Sequence, residues 1–282
     1  MISDLVDLQR YPIADLSVSA AQSLLARAHQ ELARDSILLL DGFVRPGAVA
    51  GMAQEVLAAL PNAYRRDRTI RGISLYKGER PAPPGHAINV PNRSCQAILA
   101  ADQIPAEGTL RSLYQWQGLT DFIAAVAGVE RLYRSADPLA SVTATAIGNG
   151  DLHGWHFDEN DFVVSLLLQE PIAGGQFEVL PNAKTDAGVD FDLCASALAG
   201  TASGVVRPAL RAGTLSLFCG QRALHRVSPV IGDRQRLIAL FSYDRRPGMM
   251  FSSDVHMGAF GRTLDSKVMN AVNGYSKTPE EV

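Results

Sequence analysis

From Ser141 onward the chain runs in short apolar segments broken by Gly, Pro, Asn and Asp, and this pattern constrains the fold more than any other feature. Val142–Ile147 and the runs 162–168, 176–180, 214–218 and 237–243 are too short for stable helices and rich in β-branched or aromatic residues. Many short strands separated by turn signals predict a sandwich or jelly roll. The first half reads differently. Residues 19–33 carry an apolar helical stripe (Leu24, Leu25, Ala28, Leu32) behind a candidate N-cap, Ser19. A short apolar strand follows over 36–42, then helices over 46–60, with Pro46 in the first turn, and 110–126. Helices before and strands after predict an α+β chain whose N-terminal helices brace a β core.

Between the helices, residues 62–109 are irregular. Arg65, Arg66, Arg68 and Arg71 precede a proline-rich piece over 80–85, which predicts a long excursion with short strands. The formal net charge over 282 residues is −3, so nucleic acid is not an expected partner. No apolar run reaches the roughly 20 residues of a spanning helix, and a membrane is not an expected partner either. Three scattered cysteines without a CxxC pair argue against a disulfide framework or a thiolate zinc site. With an N-terminus lacking a secretion-signal pattern, they lead us to expect a cytoplasmic protein. Oligomeric state is not legible.

The chemistry is concentrated in His153-Gly154-Trp155-His156-Phe157-Asp158-Glu159. On a strand, residues i and i+2 share a face, so His156 and Asp158 converge while Phe157 packs behind them. The second imidazole is expected from His225, which a strand over 213–218 and a turn would return across the jelly roll. Two histidines and one carboxylate on one face of an octahedron define a non-haem iron(II) site with open positions. Zinc is the competing metal, since His153, His156, Asp158 and His225 also suit it. His153, three residues before His156, would face away on a continuous strand; it joins the site only through a bend at Gly154, in a substrate-binding or supporting role. Trp155 is expected to pack into the core.

Arg236 shares a strand face with Ile238, Leu240 and Ser242. If that face is the barrel interior, Arg236 is a buried cation that needs an anionic partner. A dicarboxylate held through a bidentate guanidinium contact supplies one. Arg234 lies on the same face nearer the turn and is the alternative anchor.

The HxD triplet, Gly174-Gly175-Gln176-Phe177-Glu178, Gly213-Thr214-Leu215, His225-Arg226-Val227-Ser228-Pro229-Val230 and the arginine before the last strand together resemble the iron(II)/2-oxoglutarate dioxygenase superfamily. The resemblance implies a double-stranded β-helix with a cupin-like core, iron on His156, Asp158 and His225, and 2-oxoglutarate chelating it with O2 as the second co-substrate. It also implies that Arg236 holds the distal carboxylate. A narrower resemblance, on 133–139, 153–158 and 162–166, is to the free amino acid radical halogenases and their hydroxylating relatives. In the halogenases a small residue replaces the carboxylate ligand and opens a site for chloride. Asp158 fills that position here, which implies hydroxylation of an unactivated C–H bond, with release of succinate and CO2.

The expected substrate is a small molecule, a free amino acid; a carrier-tethered or peptide substrate, or a non-oxygenase cupin-type protein, are the alternatives. By resemblance, Arg93 and His153 would hold the substrate carboxylate. Glu159 and Asp137 are candidates for an ammonium or guanidinium group. The expected organisation is a single oxygenase domain over 1–282: a helical and irregular part with a substrate-covering segment (1–140), a jelly-roll core (141–245) and a C-terminal extension (246–282). His256 and Arg262 lie in that extension, and their placement is undecided.

Overall fold

The computed structural model describes residues 1–71, 73, 86–158 and 163–264. Glu159, the proline-rich piece over 80–85 and the tail from 265 lie outside the described residues.

Among the described residues, ten antiparallel strands form one curled sheet. In chain order they are β1 (Ile37–Leu40), β2 (Tyr64–Arg71), β3 (Pro91–Leu99), β4 (Val142–Ile147), β5 (Leu152–His156), β6 (Val163–Gln169), β7 (Phe177–Leu180), β8 (Leu215–Phe218), β9 (Leu224–Val227) and β10 (Arg236–Phe241). Their spatial order is β1-β8-β6-β10-β4-β3-β5-β9-β7, with β2 on the other edge of β3. The sheet divides at β3. Ala97 to Leu99 pair with β4, whereas Ser94 and Cys95 pair with β5. β3 thus turns the five-stranded wall β1-β8-β6-β10-β4 into the facing wall β5-β9-β7. This is the double-stranded β-helix of the expected α+β class.

Side chains alternate with the period of 2 that a strand imposes. Along β10, Leu237, Ala239 and Phe241 face the helices, while Arg236, Ile238 and Leu240 line an internal cavity. Thr143, Thr145 and Ile147 of β4, and Ser165 of β6, line the same cavity. Behind the sheet lie α1 (Ser19–Asp35), α2 (Pro46–Ala59), α3 (Thr109–Gln115) and α4 (Gln117–Val126). Their apolar stripes join Val142, Val164, Leu166 and Leu217 in the main core. Each fully buried aliphatic side chain there contributes about 1.5–3 kcal/mol, so the helices hold the wall rigid beneath the cavity.

Two expectations about the helices change. Val18, in extended conformation, caps α1, and Ser19 is already helical. The expected helix over 110–126 is two helices, broken where Trp116 is extended (φ −67, ψ 119). The Trp116 indole occupies the space in front of Gly118, where a Cβ would meet the ring at 2.5 Å. Two further helices, α5 (Phe191–Leu198) and α6 (Ser253–Phe260), lacked a signal clear enough to predict. α5 packs with Trp155 and Phe157 in a second core behind β5, in keeping with the packing role expected of Trp155. The three cysteines form no disulfide. Among the described residues, no helix is long and apolar enough to cross a membrane.

Candidate metal centre and active site

β5 and β9 are neighbours with His156 paired to His225, so the two imidazoles are brought together by strand register. Asp158 follows β5, and its backbone N–H donates to the Gly220 carbonyl at 3.0 Å, which turns the carboxyl toward both rings. Ligand atoms of His156, Asp158 and His225 lie within 4.8 Å of one another. His156 Nε2 is 3.5 Å from Asp158 Oδ1, and His225 Nε2 is 3.2 Å from Asp158 Oδ2.

The tautomers follow from the backbone. His156 Nδ1–H donates to the Gly154 carbonyl at 2.8 Å, and His225 Nδ1–H to the Ala223 carbonyl at 2.9 Å. A carbonyl only accepts, so each Nε2 of the neutral rings presents a lone pair. Two imidazole lone pairs and a carboxylate then face one point, and Asp158 Oδ2 has no hydrogen-bond donor of good geometry despite its nearness to His225. Three acceptors converging in a buried site need a cation. Carbonyl bonds to the far ring nitrogens are the supporting contacts that orient metal-bound histidines.

Electrostatics follow the same geometry. Burial drives the His156 pKa down to about 3, keeping that ring neutral. Burial also works against a charged His225, but the Asp158 carboxylate outweighs it and raises the His225 pKa above its ordinary value. Burial would raise the Asp158 pKa, yet the imidazoles prevail and it is lowered. In the absence of a cation, a proton on His225 is the available counter-charge.

The three ligands open into a cavity of ≈ 230 Å³. Arg236 lines it, only 2% exposed, and its Nη1 has no hydrogen-bond partner. Burial lowers its pKa to about 10, so it stays charged at neutral pH. A buried guanidinium with an unused donor, in the same cavity as a three-donor metal site, fits a carboxylate-bearing chelator. Arg234, by contrast, is exposed and reaches the Pro171 carbonyl, so of the two arginines expected as alternatives it is Arg236 that lines the cavity. Iron(II) and 2-oxoglutarate are the metal and co-substrate that these residues fit.

His153 does enter the cavity. On β5, His153 and His156 pair with Val227 and His225 of β9, so three steps on one strand match two on the other. This bulge restores the parity that the i, i+3 spacing breaks, and the His153 ring stacks on His156 at 3.9 Å. Gly154 makes it possible. A Cβ there would lie 2.0 Å from Asn92 Oδ1 and 2.5 Å from the Arg93 carbonyl oxygen. Gly154→Ala is therefore expected to destabilise the fold by about 1–3 kcal/mol through overpacking, read from the urea midpoint. An unchanged midpoint would refute the close approach of β5 to β3.

Two sequence expectations are corrected. Arg93 is exposed and points out of the sheet, where Nη2 pairs with Asp67 at 2.9 Å. A second cation, Arg66, on β2 opposite Gln96 of β3, lines the cavity together with Arg236. Arg66 Nη2 donates to His153 Nε2 at 3.2 Å, its Nε has no partner, and burial lowers its pKa to about 10. An available signal was the alternation of 64, 66, 68 and 70 on one face, had 64–71 been read as a strand. Asp137 is buried for structural reasons. Its Oδ1 accepts from the N–H groups of Leu139 and Ala140, and its Oδ2 from Phe251 N and His256 Nε2. That pairing fastens α6, which presents Ala259 and Phe260 to the cavity. Arg262 pairs with Asp102 on the surface.

Comparison with solved structures places the fold. AviO1 from Streptomyces viridochromogenes Tue57 is 15% identical, with 80% of this chain covering 97% of that one at a TM-score of 0.54. The non-haem α-ketoglutarate-dependent epimerase SnoN from nogalamycin biosynthesis is 15% identical, with 79% of this chain covering 83% of that one at 0.53. At these identities the likeness is one of fold. No curated protein matches the sequence. The halogenase D family does match, over residues 20–250, a span that contains β1 to β10, the three candidate ligands and the two cavity arginines Arg66 and Arg236, and the chain belongs to that family.

Proposed function

We propose that the protein is an iron(II)- and 2-oxoglutarate-dependent dioxygenase that hydroxylates an unactivated C–H bond of a free amino acid, releasing succinate and CO2. The observation that carries the reading is Asp158. Its carboxylate converges with His156 and His225, at the position where the halogenases that the sequence resembles carry a small residue that leaves room for chloride. When bound, iron(II) with 2-oxoglutarate and O2 supplies the oxidising power that no side chain has.

The chain's own residues bind and position. His156 and His225, held by backbone carbonyls, offer fixed lone pairs. Arg236 neutralises the distal carboxylate of 2-oxoglutarate. Arg66, propped by His153, is the partner for a substrate carboxylate, which replaces the role expected of Arg93. Glu159, next to the metal carboxylate in sequence, is the proposed partner for an ammonium group. Ile98, Leu240 and Phe260 form an apolar part of the cavity that keeps water from the reacting carbon. A cavity of ≈ 230 Å³ matches a small substrate. The residues 1–282 are proposed to act as one oxygenase domain.

The test is anaerobic incubation with iron(II) and 2-oxoglutarate, recording the visible charge-transfer band of the chelate while free amino acids are titrated in. A band perturbed by one amino acid, followed by coupled succinate and hydroxylated product in air, is expected. Absence of any band would sink the reading. Chlorinated product formed in chloride buffer would overturn the hydroxylase assignment in favour of the halogenation that the family's name describes. Arg66→Gln is expected to raise the amino acid KM roughly 10- to 100-fold with a smaller change in kcat, as a charge-assisted contact of about 1.5–3 kcal/mol is lost.

A further inference from the structure

We propose that Gly220 is a positioning residue for the metal carboxylate: the bare Cα at this point of the β8–β9 turn leaves the space that Asp158 needs to reach the metal. The inference rests on the metal site described above and concerns how that site is built.

Gly220 lies in a tight turn. Its N–H donates to the Phe218 carbonyl at 3.0 Å, while the Cys219 carbonyl accepts from Arg222 and Ala223. Its φ is outside the left-handed region in which twelve other glycines of the described residues sit, so the backbone conformation does not call for glycine here. The space does. A Cβ on Gly220 would lie 2.2 Å from Asp158 Oδ2 and 3.0 Å from both Cβ and Cγ of Asp158. Oδ2 is the oxygen that faces His225 Nε2. The Asp158 N–H is tied to the Gly220 carbonyl at 3.0 Å, so the two backbones cannot part, and the carboxyl can escape a Cβ only by rotating away from the imidazoles. Any side chain at 220 would therefore push the carboxylate off the point where the two imidazoles meet. The same turn also supplies the Ala223 carbonyl that orients His225. One five-residue turn thus positions two of the three ligands, one by a hydrogen bond and the other by leaving a gap.

The test is a double-mutant cycle on the full chain, read as iron(II) affinity by anaerobic calorimetric titration, with no turnover involved. Gly220→Ala is expected to weaken iron(II) binding about 10- to 100-fold, the range for contacts that orient a ligand. In the Asp158→Ala background, where nothing remains to be displaced, adding Gly220→Ala should change the residual affinity less than about twofold, the non-additivity expected of residues in contact. Parent protein that binds iron(II) while Gly220→Ala binds it equally well would overturn the inference and leave the metal site standing. So would an equal loss in both backgrounds. Parent protein that binds no iron(II) would sink both. If Gly220→Ala alone fails to fold, recovery of a cooperative thermal transition in the Asp158→Ala/Gly220→Ala pair supports the clash, and failure to recover it refutes it.

Discussion

Arg236→Met is expected to make the ligand-free protein more stable and to abolish its response to 2-oxoglutarate. Arg236 is a cation 2% exposed with an unused Nη1, and burial already lowers its pKa to about 10. Replacing a poorly compensated buried charge by an apolar chain of similar length is worth about 1–4 kcal/mol in favourable cases. In the parent, 2-oxoglutarate at a hundred times its Kd should add about 2.7 kcal/mol to unfolding, because it binds only the folded state. In the variant that increment should vanish, since removing one partner of a desolvated charge pair costs about 2–5 kcal/mol of binding. Thermal melts with and without 2-oxoglutarate, in the presence of metal, read both effects. A variant that is no more stable, yet still stabilised by 2-oxoglutarate, would show that the anchor lies elsewhere.

His225→Ala is expected to lower turnover by about 1000-fold or more and to remove measurable iron(II) retention, because one of the three candidate ligands among the described residues is lost. It should also destabilise the metal-free fold by roughly 3 kcal/mol, the lower end of the cost of stranding a buried charge, as Asp158 is 26% exposed. The pH dependence separates the two roles. The His225 pKa is raised in the folded protein, burial notwithstanding, by the Asp158 carboxylate. Its contribution to metal-free stability is therefore fully present below pH 6.5 and is lost as pH rises through the raised folded value. Metal binding has the opposite sign. It needs the neutral ring, so affinity should climb up to tenfold per pH unit below that folded value and level off above it. Unfolding of the metal-free protein and iron(II) titration, each run across pH 5.5–8.5, should give opposed slopes in the parent and a flattened stability profile in the variant. Parallel slopes in the parent would contradict the coupling of His225 to Asp158.

The wall of the barrel was legible because strand periodicity is local. Val142–Ile147 matches the expected segment, and the strands at 163–169, 177–180, 215–218 and 236–241 shift from it by only a residue or two at their ends. The buried packing of Trp155 and the inward face shared by Arg236, Ile238 and Leu240 were legible for the same reason. The convergence of Asp158 on His156 was also expected, although Asp158 lies past the end of β5 and is turned inward by its bond to Gly220.

Other features depend on partners far along the chain. Arg66 rather than Arg93 enters the cavity because β2 and β3 pair Arg66 with Gln96, a register that the run of arginines does not reveal. Asp137 is consumed by His256, 119 residues away. His153 turns inward only because β5 is bulged against β9 and Gly154 lets β5 close onto β3. By itself, then, the sequence determined which residue types alternate along each strand, and hence the β core, the HxD pair and an inward arginine near the last strand. Tertiary structure decided which arginine of 65–93 enters the cavity, where the bulge falls and which glycine lies against Asp158. Alternation is set by the backbone of one strand, whereas register and close approach are set by the balance of packing across several strands at once.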